Sequence, residues 1–363
     1  MKNLKHVLES EQPRERSGGW TIARYDFQTN FSILEILKLH GSGADYCALF
    51  DYFDDLFVMS GPPGAKRAAF YQVKAKASGT WSSANFCRIE KGKASPTSII
   101  GKMQFNISQF GLPDSVPTFV TNAAFNLKLT TGKYTTDDDF DVAAANLHPD
   151  EVKKIDATLD LESPPPRPHD CKANLAFKRV ALGTHEQHKF VIGALTEFLA
   201  QRKSAYDVPA MAVYETLKAK IVHKSSVTKT MATMEQIVDE KGLQRKDVED
   251  LITRAVHSKR FLDDWSMIEK ELISDFTPIQ TARIKTECVR YINLRGNGDP
   301  SASVLSNHFR DVAKSIAVCL QASSSFLDAQ TQLLNHSIPS LTQQGSFERA
   351  AALVEAYEEI VAI

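Results

Sequence analysis

Cysteine is scarce in this chain and shows no paired spacing. Cys47, Cys87, Cys171, Cys288 and Cys319 are scattered, odd in number and form no CxxC motif. That excludes a disulfide framework or zinc ribbon readable from spacing and fits free thiols in a reducing compartment. Long apolar runs are missing as well: no stretch approaches the ~20 residues that a membrane span requires. The segment before Trp20 is charged and lacks the apolar core of a signal peptide. A soluble, cytoplasmic protein with no membrane contact is the expectation. Charge of one sign is not in excess either. Lysine and arginine total 43 against 44 aspartates and glutamates, so contact with nucleic acid would have to come from a local basic surface. A Walker-type phosphate-binding loop is absent, which argues against ATP hydrolysis by this chain itself. No period of roughly 20–50 residues points to a solenoid.

Apolar residues, by contrast, are plentiful: 43% of the 363 residues are hydrophobic, a length and composition that accommodate two globular domains. After the Ser17-Gly18-Gly19 turn, Ile22, Phe27, Phe31, Leu34 and Leu37 recur at near-helical spacing and predict a helix over 20–39. Gly41-Ser42-Gly43 ends it. Three β-rich runs follow at 46–50, 56–59 and 69–74, the last two joined by the turn-forming Ser60-Gly61-Pro62-Pro63-Gly64. A helix over 98–110 and a buried strand over 117–122 come next. Residues 126–169 read as irregular, with an acidic run at 137–141, a short helix over 149–161 and a proline cluster at 163–168. A strand near 175–182 and a helix capped by Thr184, with Gln187 three residues on, follow. This order predicts an α/β layered fold around a mixed sheet. From Ala205 on the pattern is helical, with helices predicted over 210–222, 231–240, 246–256, 261–272, 278–294, 303–320 and 346–363. The expected division is an α/β domain over 15–201 and an all-helical C-terminal domain over 205–363.

The stretch that carries chemistry is Asp51-Tyr52-Phe53-Asp54-Asp55, with Gln72-Val73-Lys74 beginning 17 positions after Asp55. Strand alternation turns Gln72 and Lys74 to one face and Val73 to the other, and a hairpin of this length brings Asp55 beside them. Cleaving a phosphodiester needs a hard cation on oxygen ligands, a deprotonated water and positive charge for the developing phosphorane. Asp55 would supply the carboxylate, Gln72 its amide oxygen and Val73 its carbonyl as metal ligands. Lys74 would orient or activate the water and stabilise charge. Asp51 and Asp54 would support the site through a second ion or through water. A surface hairpin with solvated charges is the bland alternative. The apolar flanks of both strands, which leave these charges at the ends of buried elements, favour a site.

Taken together, Ser17-Gly18-Gly19 with Arg24, Phe27 and Gln28, then Asp51-x-x-Asp54-Asp55, Tyr71-Gln72-Val73-Lys74, Trp81, Ser98-Ile99-Ile100-Gly101-Lys102 and Phe119-Val120-Thr121-Asn122 resemble a known domain. It is the dsDNA endonuclease domain of bacterial anti-phage effectors, best known from CBASS effectors of the Cap4 type. The resemblance covers residues 15–200 in round terms. It implies a restriction-endonuclease-like core of the PD-(D/E)XK superfamily that cuts double-stranded DNA with Mg2+, for which Mn2+ can substitute. Two departures stand out. Asp51 occupies a place where a glutamate is expected, and the second half reads as helical where CBASS members carry a SAVED domain. The family also occurs beside HerA-type ATPases, which implies a homo-oligomer or a HerA-type partner that controls the nuclease.

Lys66, Arg67, Lys76, Arg88, Lys91, Lys93 and Lys102 surround the proposed site in sequence; of these Lys76 and Lys102, with Trp81, are the candidate DNA contacts, against the alternative of solvated surface charge. Gln28 is a supporting candidate on the first helix. His185 and His188 lie a turn apart without a third ligand and read as capping and surface residues. Cys47 and Cys87 read as buried small hydrophobes. The leading reading is a Mg2+-dependent endodeoxyribonuclease of phage defence, with the last helix available for docking. A catalytically silent nuclease-fold scaffold or DNA-binding module is the runner-up, and an RNA substrate would use the same metal chemistry.

Overall fold

The structure is a computed structural model that describes residues 17–60, 67–90, 92, 94, 96–110, 115–167, 169–202, 208–296, 299–337 and 345–361. The Gly61–Gly64 part of the expected turn and the basic Lys66, Lys91 and Lys93 lie outside these residues. Two compact units are present: Met1–Val191 with Ile221–Arg245, and Ile192–Lys220 with Lys246–Ile363.

In the first unit, helix α1 (Ser17–Gly41) buries Phe27, Phe31, Ile33, Ile36 and Leu37; over 27–37 it is buried on nearly every side, while Ile22 of the expected apolar face is exposed. Gly43, at φ +79, turns the chain into the sheet. Strands β1 (Tyr46–Phe50), β2 (Leu56–Ser60) and β3 (Arg67–Lys74) form an antiparallel meander, with Phe50 opposite Leu56 and Leu56 opposite Tyr71. The chain then crosses through α2 (Ser83–Phe86) and α3 (Ile99–Phe110) to β4 (Val116–Thr121), which lies parallel to β3, as a helical crossover allows. Strand β5 (Asp141–Ala143), helix α4 (Pro149–Glu162) and strand β6 (Ala176–Arg179) complete this run, β6 lying parallel to β4 and antiparallel to β5. With a last strand, β7 (Gly242–Gln244), supplied from much later in the chain, the seven-stranded order is β5-β6-β4-β3-β2-β1-β7. The mixed sheet with flanking helices, followed by a helical region, is the expected fold class.

Aromatic rings fill the layer under α3. Phe53, Phe57, Phe70 and Phe110 form one set of edge-on and tilted contacts, and Trp81, stacked on Phe86, forms another with Phe119 and Phe177, geometries that their quadrupoles favour. Helix α3 buries Ile100, Met103 and Ile107 here. Strand β5 lies in a stretch that reads as irregular; only three residues long, it is too short to show alternation.

Helix α5 (Gln187–Ala200) begins later than a Thr184 cap would place it. Glu186 stands at φ +54, and the Gln187 side chain accepts from Asn30 Nδ2 at 3.2 Å and donates to the carbonyls of Ala23 and Thr184 at 3.4 Å. The apparent capping box is therefore a tie to α1. After α6 (Ala210–Ser226), α7 (Met234–Lys241) and strand β7 (Gly242–Gln244) belong to the first unit, β7 pairing antiparallel with β1 through Ala48 and Leu243. The sequence pattern places this segment among helices; three residues contiguous with helices on both sides carry no strand period.

In the second unit, α8 (Arg245–Asp263), α9 (Trp265–Asp275), α10 (Pro278–Gly296), α11 (Pro300–Ser315), α12 (Ala317–Gln321), α13 (Phe326–His336) and α14 (Ser346–Val361) enclose one core. The helix expected over 303–320 is two, meeting at Ile316, and α13 has no counterpart in the predicted set. Residues 350–358 of α14 are buried on every side, so Leu353, Val354 and Tyr357 of the helix expected to be available for docking lie inside this unit's core. No described helix is long and apolar enough to cross a membrane.

Candidate active site

Asp55 stands immediately before β2, and its Oδ2 is the point on which three donors converge. The Val73 main-chain N–H donates at 2.6 Å, Lys74 Nζ at 3.0 Å, and the Gln72 amide nitrogen makes a third, short contact. The hairpin thus brings together the three residues that sequence spacing placed side by side. The Asp55 side chain is 12% exposed and that of Lys74 37%, so the pair is open to a ligand on the lysine side. Gln28, from α1, donates to the Val73 carbonyl at 3.2 Å, so the supporting glutamine reaches the same main-chain oxygen that is the candidate metal donor.

Asp54 packs beside Asp55. Its Oδ1 accepts the Asp55 main-chain N–H at 3.1 Å, and its carboxyl is pushed up to about 7 by burial and then by the neighbouring Asp55 charge. Asp51, at φ +46, donates its main-chain N–H to the Asp55 carbonyl at 3.4 Å. Its carboxyl is also raised, by burial first and Asp55 second, and its side chain hydrogen-bonds Ser225.

One residue to which the sequence assigns no role supports this turn. Asn106 of α3 donates to the Phe53 carbonyl at 2.8 Å and to Asp54 Oδ2 at 3.4 Å. A polar side chain between Met103 and Ile107 on a core-facing helix was a readable signal. On the far side of β3, the buried Glu35 accepts from Tyr71 at 3.0 Å and pairs with Lys178 at 3.5 Å. Tyr71 alternates with Gln72 along β3 and so faces α1, where its ring lies against Phe31.

The candidate DNA contacts lie in different settings. Lys102 projects from α3 into solvent. Lys76 donates to the Thr80 carbonyl at 2.5 Å and lies 4.6 Å from the Trp81 ring centroid, while Trp81 Nε1 donates to Thr121 Oγ1 at 2.9 Å and its ring stacks on Phe86. Asn122 clamps the Lys76 backbone at both ends, accepting from its N–H at 2.8 Å and donating to its carbonyl at 2.9 Å. Arg67 and Arg88 are exposed.

A divalent metal is compatible with these donors. Among the described residues no group of three or more His, Cys, Asp or Glu side chains forms a cage. The relevant set is instead one carboxylate, Asp55, with the neutral oxygens of Gln72 and Val73, all hard donors of the kind Mg2+ prefers. The upward push on Asp51 and Asp54 marks a crowded, partly desolvated anionic spot that a cation would relieve. Gln72 turns its amide nitrogen toward Asp55; rotating the amide would present the oxygen instead.

A mixed sheet that sets an acid at the start of one strand beside a Gln-x-Lys face on the next defines the restriction-endonuclease-like class of nuclease folds. Residues 16–225, more than half of the chain, match the family described as the Cap4 dsDNA endonuclease domain, and the chain belongs to that family. No curated protein and no solved structure matches it.

Proposed function

We propose that this protein is a divalent-metal-dependent endonuclease of a bacterial anti-phage system, acting on double-stranded DNA through Asp55, Gln72 and Lys74. The convergence of the Gln72, Val73 and Lys74 donors on one Asp55 oxygen carries this reading. Asp55, the Gln72 amide oxygen and the Val73 carbonyl would hold Mg2+ or Mn2+. When bound, the ion lowers the pKa of a water and offsets phosphate charge. Lys74, released from Asp55, orients the attacking water and stabilises negative charge on the phosphate as the bond breaks. Asp54 and Asp51 hold the turn that carries Asp55. Lys102, and Lys76 on its Trp81 platform, supply phosphate contacts. A homo-oligomer, or a partner such as a HerA-type ATPase, would restrain the activity, since an unrestrained nuclease is toxic to its host.

The test is plasmid cleavage by the full chain, with Mg2+ or chelator, comparing wild type with Asp55→Ala and Lys74→Ala. Both substitutions are expected to lower the rate by about 10²-fold or more, the usual scale for losing an acid–base or charge-stabilising group, and chelation to abolish it. Equal cleavage by all three proteins would reject the site. A wild type inactive with and without a HerA-type partner would favour the scaffold, and cleavage of RNA alone would change the substrate.

A further inference from the structure

Lys241 ends helix α7 and is 3% exposed, yet its ammonium does not form part of the Asp55 site. It donates to the main-chain carbonyl of Asp51 at 3.3 Å and to that of Ser225 at 3.1 Å, reaching a residue 190 positions away in sequence. A buried ammonium is costly unless it is paired and hydrogen-bonded, and a neutral side chain of similar length would fill the same space. Its neighbour fixes where it sits. A Cβ on Gly242 would meet the Val238 carbonyl at 2.6 Å and Cys47 Sγ at 3.2 Å, so the glycine lets β7 close on β1 and sets the lysine at the mouth of the Asp51–Asp55 turn. That turn needs holding. Asp51 is in the left-handed region at φ +46, which aspartate tolerates better than most non-glycine residues but still at a cost that neighbouring contacts offset. Its carbonyl is held by Lys241 and its N–H by the Asp55 carbonyl.

We infer that Lys241 is a positioning residue for phosphodiester cleavage: it clamps the left-handed Asp51 and thereby fixes the turn that presents Asp54 and Asp55 to β3. This rests on the nuclease reading above. Lys241 lies beyond the residues that match the family, so the clamp is supplied by the Ile221–Arg245 stretch of the first unit.

The experiment uses the full chain as wild type, Lys241→Met and Lys241→Arg, with amide hydrogen exchange read by peptide alongside plasmid cleavage. In Lys241→Met, exchange is expected to accelerate over residues 51–55 while β2 and β3 keep their protection. The maximal cleavage rate is expected to fall by roughly 10–100-fold, the scale of a small misplacement of catalytic groups, at unchanged KM for DNA. Lys241→Arg, which keeps the charge and donors, should recover part of both. Unchanged exchange at 51–55, a rise spread evenly over the sheet, or full cleavage despite faster local exchange each overturns the inference. If Lys241→Met does not fold, Lys241→Gln, which removes the charge and shortens the side chain but stays polar, carries the same two readouts against wild type, and unchanged exchange together with unchanged cleavage rejects the clamp. A wild type that cuts no DNA removes the nuclease reading and the catalytic role with it, while the exchange comparison still decides whether Lys241 holds the turn.

Discussion

The Oδ2 atom of Asp55 accepts the main-chain N–H of Val73 at 2.6 Å, so an acid at the start of β2 is gripped by the backbone of β3 before any ligand arrives. A main-chain donor cannot be lost by side-chain substitution, and it leaves Gln72 and Lys74 as the adjustable partners of the carboxylate. Preorganisation of this kind lowers the cost of arranging charge during a reaction.

Gln72→Glu places a second carboxylate against Asp55. Without a divalent ion the variant should melt below wild type, because like charges a few ångströms apart repel. With Mn2+ it should gain more in Tm than wild type gains, since binding to the folded state alone stabilises it. Thermal melts with and without Mn2+ measure both; an ion-induced rise no larger than that of wild type would count against Gln72 as a ligand position.

Asp54 carries a pH signature. Its carboxyl is pushed up to about 7 in the fold, by burial and by Asp55, against about 3.9 for an unfolded aspartate. The folded state therefore holds a proton that the unfolded state has lost, so stability declines as pH rises from about 4 to 7 and the loss is complete above it. Asp54→Asn removes this dependence and keeps an oxygen for the Asp55 N–H. Denaturant titrations in chelator should show the variant gaining on wild type across that window, by an amount on the order of a few kcal/mol at pH 8. Parallel curves from pH 4 to 8 would disprove the assignment.

Gly101 has no room for a side chain. An added Cβ would meet Glu162 Oε2 at 2.0 Å, and this carboxylate accepts from the Thr97 N–H at 2.7 Å and the Ser98 N–H at 3.1 Å at the start of α3. Gly101→Ala should displace Glu162 and cost about 1–2 kcal/mol, the usual value of a lost helix cap. Glu162→Ala should cost a similar amount, and the double variant less than the sum, because both remove one interaction. Additive costs in a denaturation cycle would exclude this coupling.

Arg295 is sealed between Glu355 and Glu358 of α14, donating to them at 2.6 and 3.0 Å and to Ser258 at 2.8 Å. Arg295→Met leaves two buried carboxylates without their cation and should cost about 3–5 kcal/mol. The triple variant with Glu355→Leu and Glu358→Leu should recover most of that. Denaturation in urea decides, and a single variant as stable as wild type would mean the network is not sealed from water.

By itself, the sequence determined what local periodicity can carry: α1, the β1–β3 meander, the crossover to β4, and the grouping of Asp55 with Gln72 and Lys74. A two-residue alternation and a short hairpin leave few other arrangements for residues so close along the chain. Only the tertiary structure decided the rest. Strand β7 is too short to show a period, Gln187 looks like a cap and is a tie to α1, and Lys241 reaches Asp51 across most of the chain. Their places depend on which distant backbone atoms the folded layers leave in need of a hydrogen-bond partner, and no local pattern records that.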